Sequence, residues 1–249
     1  VGSLSTLHKG AIVTRDRVKN IELPGLPGVE ITLRPSARAR RYGLRVSRAD
    51  GRVTLTLPVR AKERDAIAFA VSQTDWLIKA LGQIAPVRQV AFGQMIPFDG
   101  VEHLIVPAKL RAPRIEAGQI LVPEDPARLA LRVQTLFRHI ARQRLQTASE
   151  QYAAQIGRSF RKITLRDTRS RWGSCSADGS LSYSWRLVMA PPVVLEYVAA
   201  HEVAHLAQMN HSPAFWAVVG AICPDYATHR AWLRREGSAL HAIRFDTAD

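Results

Sequence analysis

The sequence predicts an α+β fold, with a β-rich N-terminal part ahead of a mainly helical C-terminal part that carries a small sheet. Three observations predict it. Short alternating runs flank Asp-Gly dipeptides in the first hundred or so residues, the pattern of β-hairpins. From Asp125 onward apolar residues recur at helical spacing and helices open at Asp-Pro, Pro-Pro and Ser-Pro. No internal repeat or low-complexity tract interrupts the 249 residues. The reading divides the chain into a basic β-rich part with one helix (1–110), a connection (111–124) and a C-terminal domain (125–249).

Leu44 to Ser47 and Val53 to Leu57 alternate around Asp50-Gly51, and Pro58 closes the second strand. Ile67, Ala70, Val71, Thr74, Leu77, Ile78 and Leu81 then predict one helix over about 62–81, with Phe69 and Trp76 expected in its core face. Asp99-Gly100 predicts a second hairpin, between Ile96-Pro97-Phe98 and Val101 to Val106. The proline- and glycine-bearing connection holds a short strand over 119–122.

Asp125-Pro126 opens a long helix, since Asp can cap free amides and Pro fits the first turn. Its apolar face is Leu129, Val133, Leu136, Phe137, Ile140, Ala148 and Tyr152, and Arg128, Arg132, Arg138, Arg142 and Arg144 make the remainder basic. A strand follows over 163–165. Asp178-Gly179 turns the chain into the alternating run Leu181 to Trp185. Pro191-Pro192, Ser212-Pro213 and Pro224-Asp225 open three further helices, the last expected to end near Gly237 on a left-handed glycine cap.

Composition bounds the rest. Hydrophobic residues are 47% and charged ones 22%, an ordinary globular balance. No apolar run approaches the ~20 residues that span a bilayer, and Val1 to Lys9 lacks the basic-then-apolar pattern of a secretory signal. Two cysteines, Cys175 and Cys223, make no disulfide framework and fit reduced thiols, so a cytoplasmic location is expected. The net charge of +14 comes mostly from arginine, whose planar fork suits phosphates and carboxylates. Either the surface is simply solvated, or Arg34, Arg38, Arg40, Arg41, Arg45 and Arg48 form a face for nucleic acid or another polyanion.

The chemistry is concentrated in His201-Glu202-Val203-Ala204-His205. Residues four apart share one helical face, so both imidazoles can converge on a single ion. A catalytic zinc needs three protein ligands and one open position for water, and the glutamate beside it can take that water's proton. The third ligand expected is His211, ten residues after the first. At the position where the metzincin pattern has its turning glycine this chain has Gln208, so Asn210, which tolerates left-handed φ, is the expected breaker. Glu236 is the rival ligand but lies among arginines. His103, His139, His229 and His241 read as structural or exposed, with His229 worth revisiting because its helix could pack near the metal.

Three blocks, Arg169-Ser170-Arg171-Trp172-Gly173-Ser174-Cys175, Tyr197 to Leu206, and Asn210 to Trp216 followed by Pro224-Asp225-Tyr226, resemble the YgjP-like metallopeptidase family, relatives of the SprT and WLM zinc-protease domains. The resemblance spans about 163–235. It implies a zincin-like core, one Zn2+ held by His201, His205 and His211, Glu202 as general base, and a peptide or protein substrate. Substrate contacts are expected from Arg171, Trp172, Gly173, Ser174 and Tyr183, on a strand edge beside the metal helix. Hydrolysis of a phosphoanhydride or nucleotide, or action as a nucleic-acid-associated protease, are the alternatives.

Overall fold

The computed structural model describes residues 18–47 and 50–246, so Val1 to Lys9 and Arg48 lie outside the described residues. The chain falls into two compact units that meet at Ile84/Ala85.

In the first unit β1 (Lys19–Glu22), β2 (Glu30–Ser36), β3 (Gly43–Val46) and β4 (Val53–Pro58) form one sheet in the order β1-β2-β4-β3. β3 and β4 are antiparallel with Leu44 opposite Leu55, and Gly51 takes φ +72, as the Asp50-Gly51 turn requires. Strand alternation puts Ile31, Leu33, Val53, Leu55 and Leu57 into a core with Ala66, Ala70 and Leu77. Helical sequence over 62–81 forms two helices, α1 (Glu63–Ser72) and α2 (Thr74–Gly82), not one. The break at Gln73 has a local cause. The Ser72 hydroxyl donates to the Phe69 carbonyl (2.7 Å) and the Thr74 hydroxyl to that of Val71 (2.6 Å), so side chains compete with the helical ladder. Trp76 lies on the outer side of α2. It is 45% exposed, contrary to the core position expected, whereas Phe69 stacks on Tyr42 at 5.5 Å.

The second unit opens with β5 (Arg88–Gln89), which pairs in parallel with the C-terminal β13 (Ile243–Arg244). β6 (Met95–Phe98), β7 (Val101–Ala108), β8 (Arg114–Glu116) and β9 (Gln119–Pro123) make a sheet in the order β6-β7-β9-β8. Asp99 and Gly100 both have positive φ, 56 and 78, the two-residue turn that matches strand twist. Ile96, Phe98, Ile105, Ile120 and Val122 share a core with Val133 and Phe137, so this sheet packs with the long helix α3 (Leu129–Gln155). A turn of 3-10 helix, Pro126–Arg128, precedes α3, and Asp125 forms no side-chain cap but sits 3.4 Å from Arg132.

The third sheet, β10 (Lys162–Arg166), β12 (Ser180–Ser184) and β11 (Gly173–Cys175), leaves β11 at its edge. Register places Gly173 opposite Tyr183 and Cys175 opposite Leu181. Then come α4 (Pro192–Ala204), α5 (Pro213–Ile222) and α6 (Tyr226–His241). α6 runs past Gly237, which is buried inside it rather than capping it. A Cβ there would meet Trp172 Cζ2 at 2.9 Å, so this glycine makes room for an indole. The architecture is a mixed α+β arrangement of small sheets and, among the described residues, six α-helices. None of the described helices is long and apolar enough to cross a membrane.

Candidate metal centre

α4 is apolar on nearly every face because it is enclosed: Val194, Leu195, Val198, Ala199, Ala200, Val203 and Ala204 are all buried. His201 and His205 lie one turn apart on it. The helix stops at Ala204, earlier than the expected break at Asn210. Asn210 does not take positive φ either, since Asp99 and Ala117 are the non-glycine residues that do so among the described residues. Turns from Val203 and Ala204 carry the chain out of the helix. Asn210 instead accepts the Ser212 amide on its side-chain oxygen (3.3 Å), an Asx turn that leads into α5. Ser212 then caps α5, its hydroxyl accepting the Phe215 amide at 3.4 Å, with Pro213 at the first helical position.

This route returns His211 to the other two imidazoles. The candidate ligand atoms of His201, His205 and His211 all lie within 4.8 Å of one another, and His201 Nε2 is 3.1 Å from His211 Nε2. Nitrogens about 2.0–2.1 Å from one tetrahedral zinc would be separated by roughly 3.3 Å, so the spacing fits. The His205 Nδ1 is 3.0 Å from the Gln208 carbonyl. Donation from Nδ1–H fixes the ring and leaves Nε2 with a free lone pair. Burial pushes His201 down to about 3, helped by the neighbouring His205, His211 and Arg230, and burial lowers His205 as well. Both rings are therefore neutral at pH 7 and able to ligate. Phe215, fully buried, touches all three imidazoles with centroids 4.5 to 4.9 Å away. Neither Glu236, paired with Arg235 at 2.6 Å, nor His229, half-buried on α6, joins this cluster.

Glu202, next to His201 on α4, reaches edge strand β11 and is 6% exposed. Gly173 lets it approach. A Cβ on residue 173 would stand 2.6 Å from Glu202 Cγ and Oε1, closer than atoms can pack. Burial raises the Glu202 carboxyl to about 8, while Arg171 and a hydrogen bond from the Cys175 amide pull the other way. A carboxyl poised there suits proton transfer near neutral pH.

Two cavities flank β11. One of about 230 Å³ is lined by Arg171, Trp172, Gly173, Tyr197, His201 and Glu202 among others. The other, of about 420 Å³, includes Cys175, Ser176 and His205. Arg171, Trp172 and Gly173 thus share a cavity with His201 and Glu202, and Ser174 lies on the same strand between the two cavities. Tyr183 does not. It is 1% exposed with its hydroxyl 3.0 Å from Ser149, so it presents no surface to a ligand. Cys175 is a free, half-buried thiol that burial raises to about 11. Sequence reasoning missed Tyr197, which lines the first cavity with its ring 6.0 Å from His201. Its position four residues before His201 is the signal that could have found it.

The arginine excess has a partly structural explanation in this unit. Arg144 forks onto Asp99 (Nη2 to Oδ2 3.0 Å) and stacks over Phe98, and Arg142 donates to the Ile163 carbonyl at 2.6 Å. Arg186, 8% exposed, pairs with Asp167 and donates to the Leu240 and Ile243 carbonyls. In the first unit Arg34, Arg38, Arg40, Arg41 and Arg45 are exposed.

Compared with known families, the chain matches the model of the YgjP-like metallopeptidase domain over residues 40–236. No curated protein and no solved structure matches it.

Proposed function

This chain belongs to the YgjP-like metallopeptidase family, and from that premise we propose that it is a zinc peptidase with a zincin-like core, in which His201, His205 and His211 hold one ion and Glu202 is the general base. The observation that carries the reading is the convergence of three imidazoles, their candidate ligand atoms within 4.8 Å of one another, beside a buried carboxyl. An all-nitrogen donor set favours zinc over magnesium or calcium, which take oxygen ligands. When bound, zinc supplies Lewis acidity that activates water and polarises a carbonyl.

The chain's own residues do the rest. His205, held by the Gln208 carbonyl, keeps a fixed tautomer and orientation. Phe215 underpins the imidazoles and keeps water from their inner faces. Glu202 accepts the proton of the attacking water at a carboxylate oxygen and returns it to the departing amine. The Cys175 amide and the open face of Gly173 hold that carboxyl in place. Edge strand β11 pairs with β12 on one side only, and apart from the Cys175 amide that Glu202 takes, its other side is where an extended substrate would add. A nucleotide substrate draws less support, because the most deeply placed arginines of this unit are engaged with Asp99, Asp167 and backbone carbonyls.

Metal content per chain and hydrolysis of casein-type peptides, measured for the parent, Glu202→Gln and His211→Ala, test the reading. Glu202→Gln should keep its zinc and lose turnover, and His211→Ala should bind zinc far more weakly. Peptide hydrolysis surviving Glu202→Gln, or undiminished zinc in His211→Ala, would refute it.

A further inference from the structure

We propose that the cavity beside His201 and Glu202 is a subsite for a carboxylate of the substrate, with Arg171 as the group that recognises it. The inference rests on the peptidase reading above and adds what the substrate must carry.

The cavity, about 230 Å³, has two kinds of wall. Trp172, Val198 and Leu233 are apolar and can receive the methylene part of a side chain. Arg171 brings the positive charge, and the one carboxylate in the lining is Glu202, assigned above to the water. The Arg171 main chain is fixed, its carbonyl accepting the Thr168 hydroxyl at 2.8 Å. The next residue is fixed as well. The Trp172 carbonyl accepts the Ser184 amide at 2.8 Å, and its ring stacks on His241 at 4.6 Å and packs against Gly237. A main chain fixed on both sides therefore presents the exposed Arg171 in the cavity lining.

That side chain differs from several other arginines of this unit. Arg132, Arg144, Arg161 and Arg186 each pair with an aspartate, whereas Arg171 forms no ion pair with any described carboxylate. A second cation, Arg230, lies 4.7 Å over the Trp216 ring, itself 5.7 Å from His201. An arginine fork binds carboxylate bidentately with charge-assisted hydrogen bonds, which gives geometric selectivity as well as attraction. The carboxylate can come from an internal Glu or Asp side chain or from the chain's own C-terminus.

The test uses the zinc-loaded protein and quenched-fluorescent octapeptides in which Glu or Gln is scanned through each position, together with C-terminal acid and amide pairs. The expected result is one acid-over-neutral preference of about tenfold in kcat/KM, expressed mainly in KM. It should collapse toward unity in Arg171→Gln and be partly retained in Arg171→Lys. A preference for internal Glu assigns the side chain as the source, and one for free acid over amide assigns the terminus. Equal rates on Glu and Gln peptides, or a preference that survives Arg171→Gln, would overturn the proposal. A loss that falls equally on acidic and neutral peptides, in kcat alone, would also overturn it, since Arg171 would then act only on Glu202. Absence of any cleavage by the parent would count against the peptidase reading instead. Fluorescein-labelled copies of the same peptides, bound to Glu202→Gln protein and followed by anisotropy, then decide the carboxylate subsite without turnover.

Discussion

Replacing Gly173 by alanine tests the contact between the edge strand and Glu202, the proposed general base, directly. Gly173 has no positive φ, so alanine suits its backbone and the whole effect of the substitution is spatial. The new Cβ would stand 2.6 Å from Glu202 Cγ and Oε1 and 2.8 Å from Cδ, where ordinary contact begins at 3.4 Å. The carboxyl must retreat by about 0.8 Å, and it would leave the Cys175 amide as it does so. A displacement near 1 Å in a reacting group costs on the order of 10²-fold. We therefore expect kcat to fall about a hundredfold, with zinc content unchanged because none of the three histidines is touched. One extra methyl in a packed site costs about 1–3 kcal/mol, a Tm loss of a few degrees, so assays at 25 °C still read folded protein. Steady-state kinetics with metal analysis is the measurement, and Glu202→Asp is the control. Asp is one methylene shorter, so its loss and that of Gly173→Ala should combine to less than their product. A kcat within threefold of the parent, in folded and metallated protein, would refute the idea that β11 positions the base.

Three further outcomes follow from the same structure. In protein stripped of metal with EDTA, the Glu202 carboxyl is raised from 4.5 to about 8, so the folded state holds its proton more tightly than the unfolded one. Stability then falls as pH rises from about 4.5 through 8, and Glu202→Gln should raise Tm at pH 8 but not at pH 4, by an amount reflecting roughly 3–5 kcal/mol; equal shifts at both pH values would contradict the sign. Arg186→Met leaves Asp167 and the Leu240 and Ile243 carbonyls unpaired, and should cost about 2–4 kcal/mol by urea unfolding. Ser212→Ala removes the cap of α5 and should cost about 1 kcal/mol while weakening zinc affinity measured by competition with a chelator, since this cap follows His211 directly.

The features legible in the sequence were local ones. Asp50-Gly51 and Asp99-Gly100 specify hairpins because the residues that make the turn are the turn, and Ser212-Pro213 starts a helix for the same reason. The spacing of His201 and His205 needs only a helix to become a shared face. What escaped depends on partners distant in the chain or on competition within a few atoms. Gln73 breaks a continuous apolar period because two hydroxyls outbid backbone amides for carbonyls. Gly237 looked like a helix end but is a notch for Trp172, sixty-odd residues earlier. Gly173 carried no signal of its closeness to Glu202, because nothing in its own neighbourhood names the residue it must admit. Arg142 and Arg144 read as the basic side of a helix, and only the fold sets their partners, the Ile163 carbonyl and Asp99, beside them.

The ligand histidines and the base differ in how far the chain must loop to assemble them. His201 and His211 are ten residues apart, so closing that loop on an ion loses little chain entropy and can happen in a locally ordered segment. Glu202 gains its neighbours only when β11, nearly thirty residues upstream, docks against α4. On the proposed reading, metal uptake and assembly of the Glu202 site are therefore expected to be separable. On that reading a destabilised variant would carry a full complement of metal and still be inert, so occupancy would report on a short stretch of chain and turnover on the whole unit.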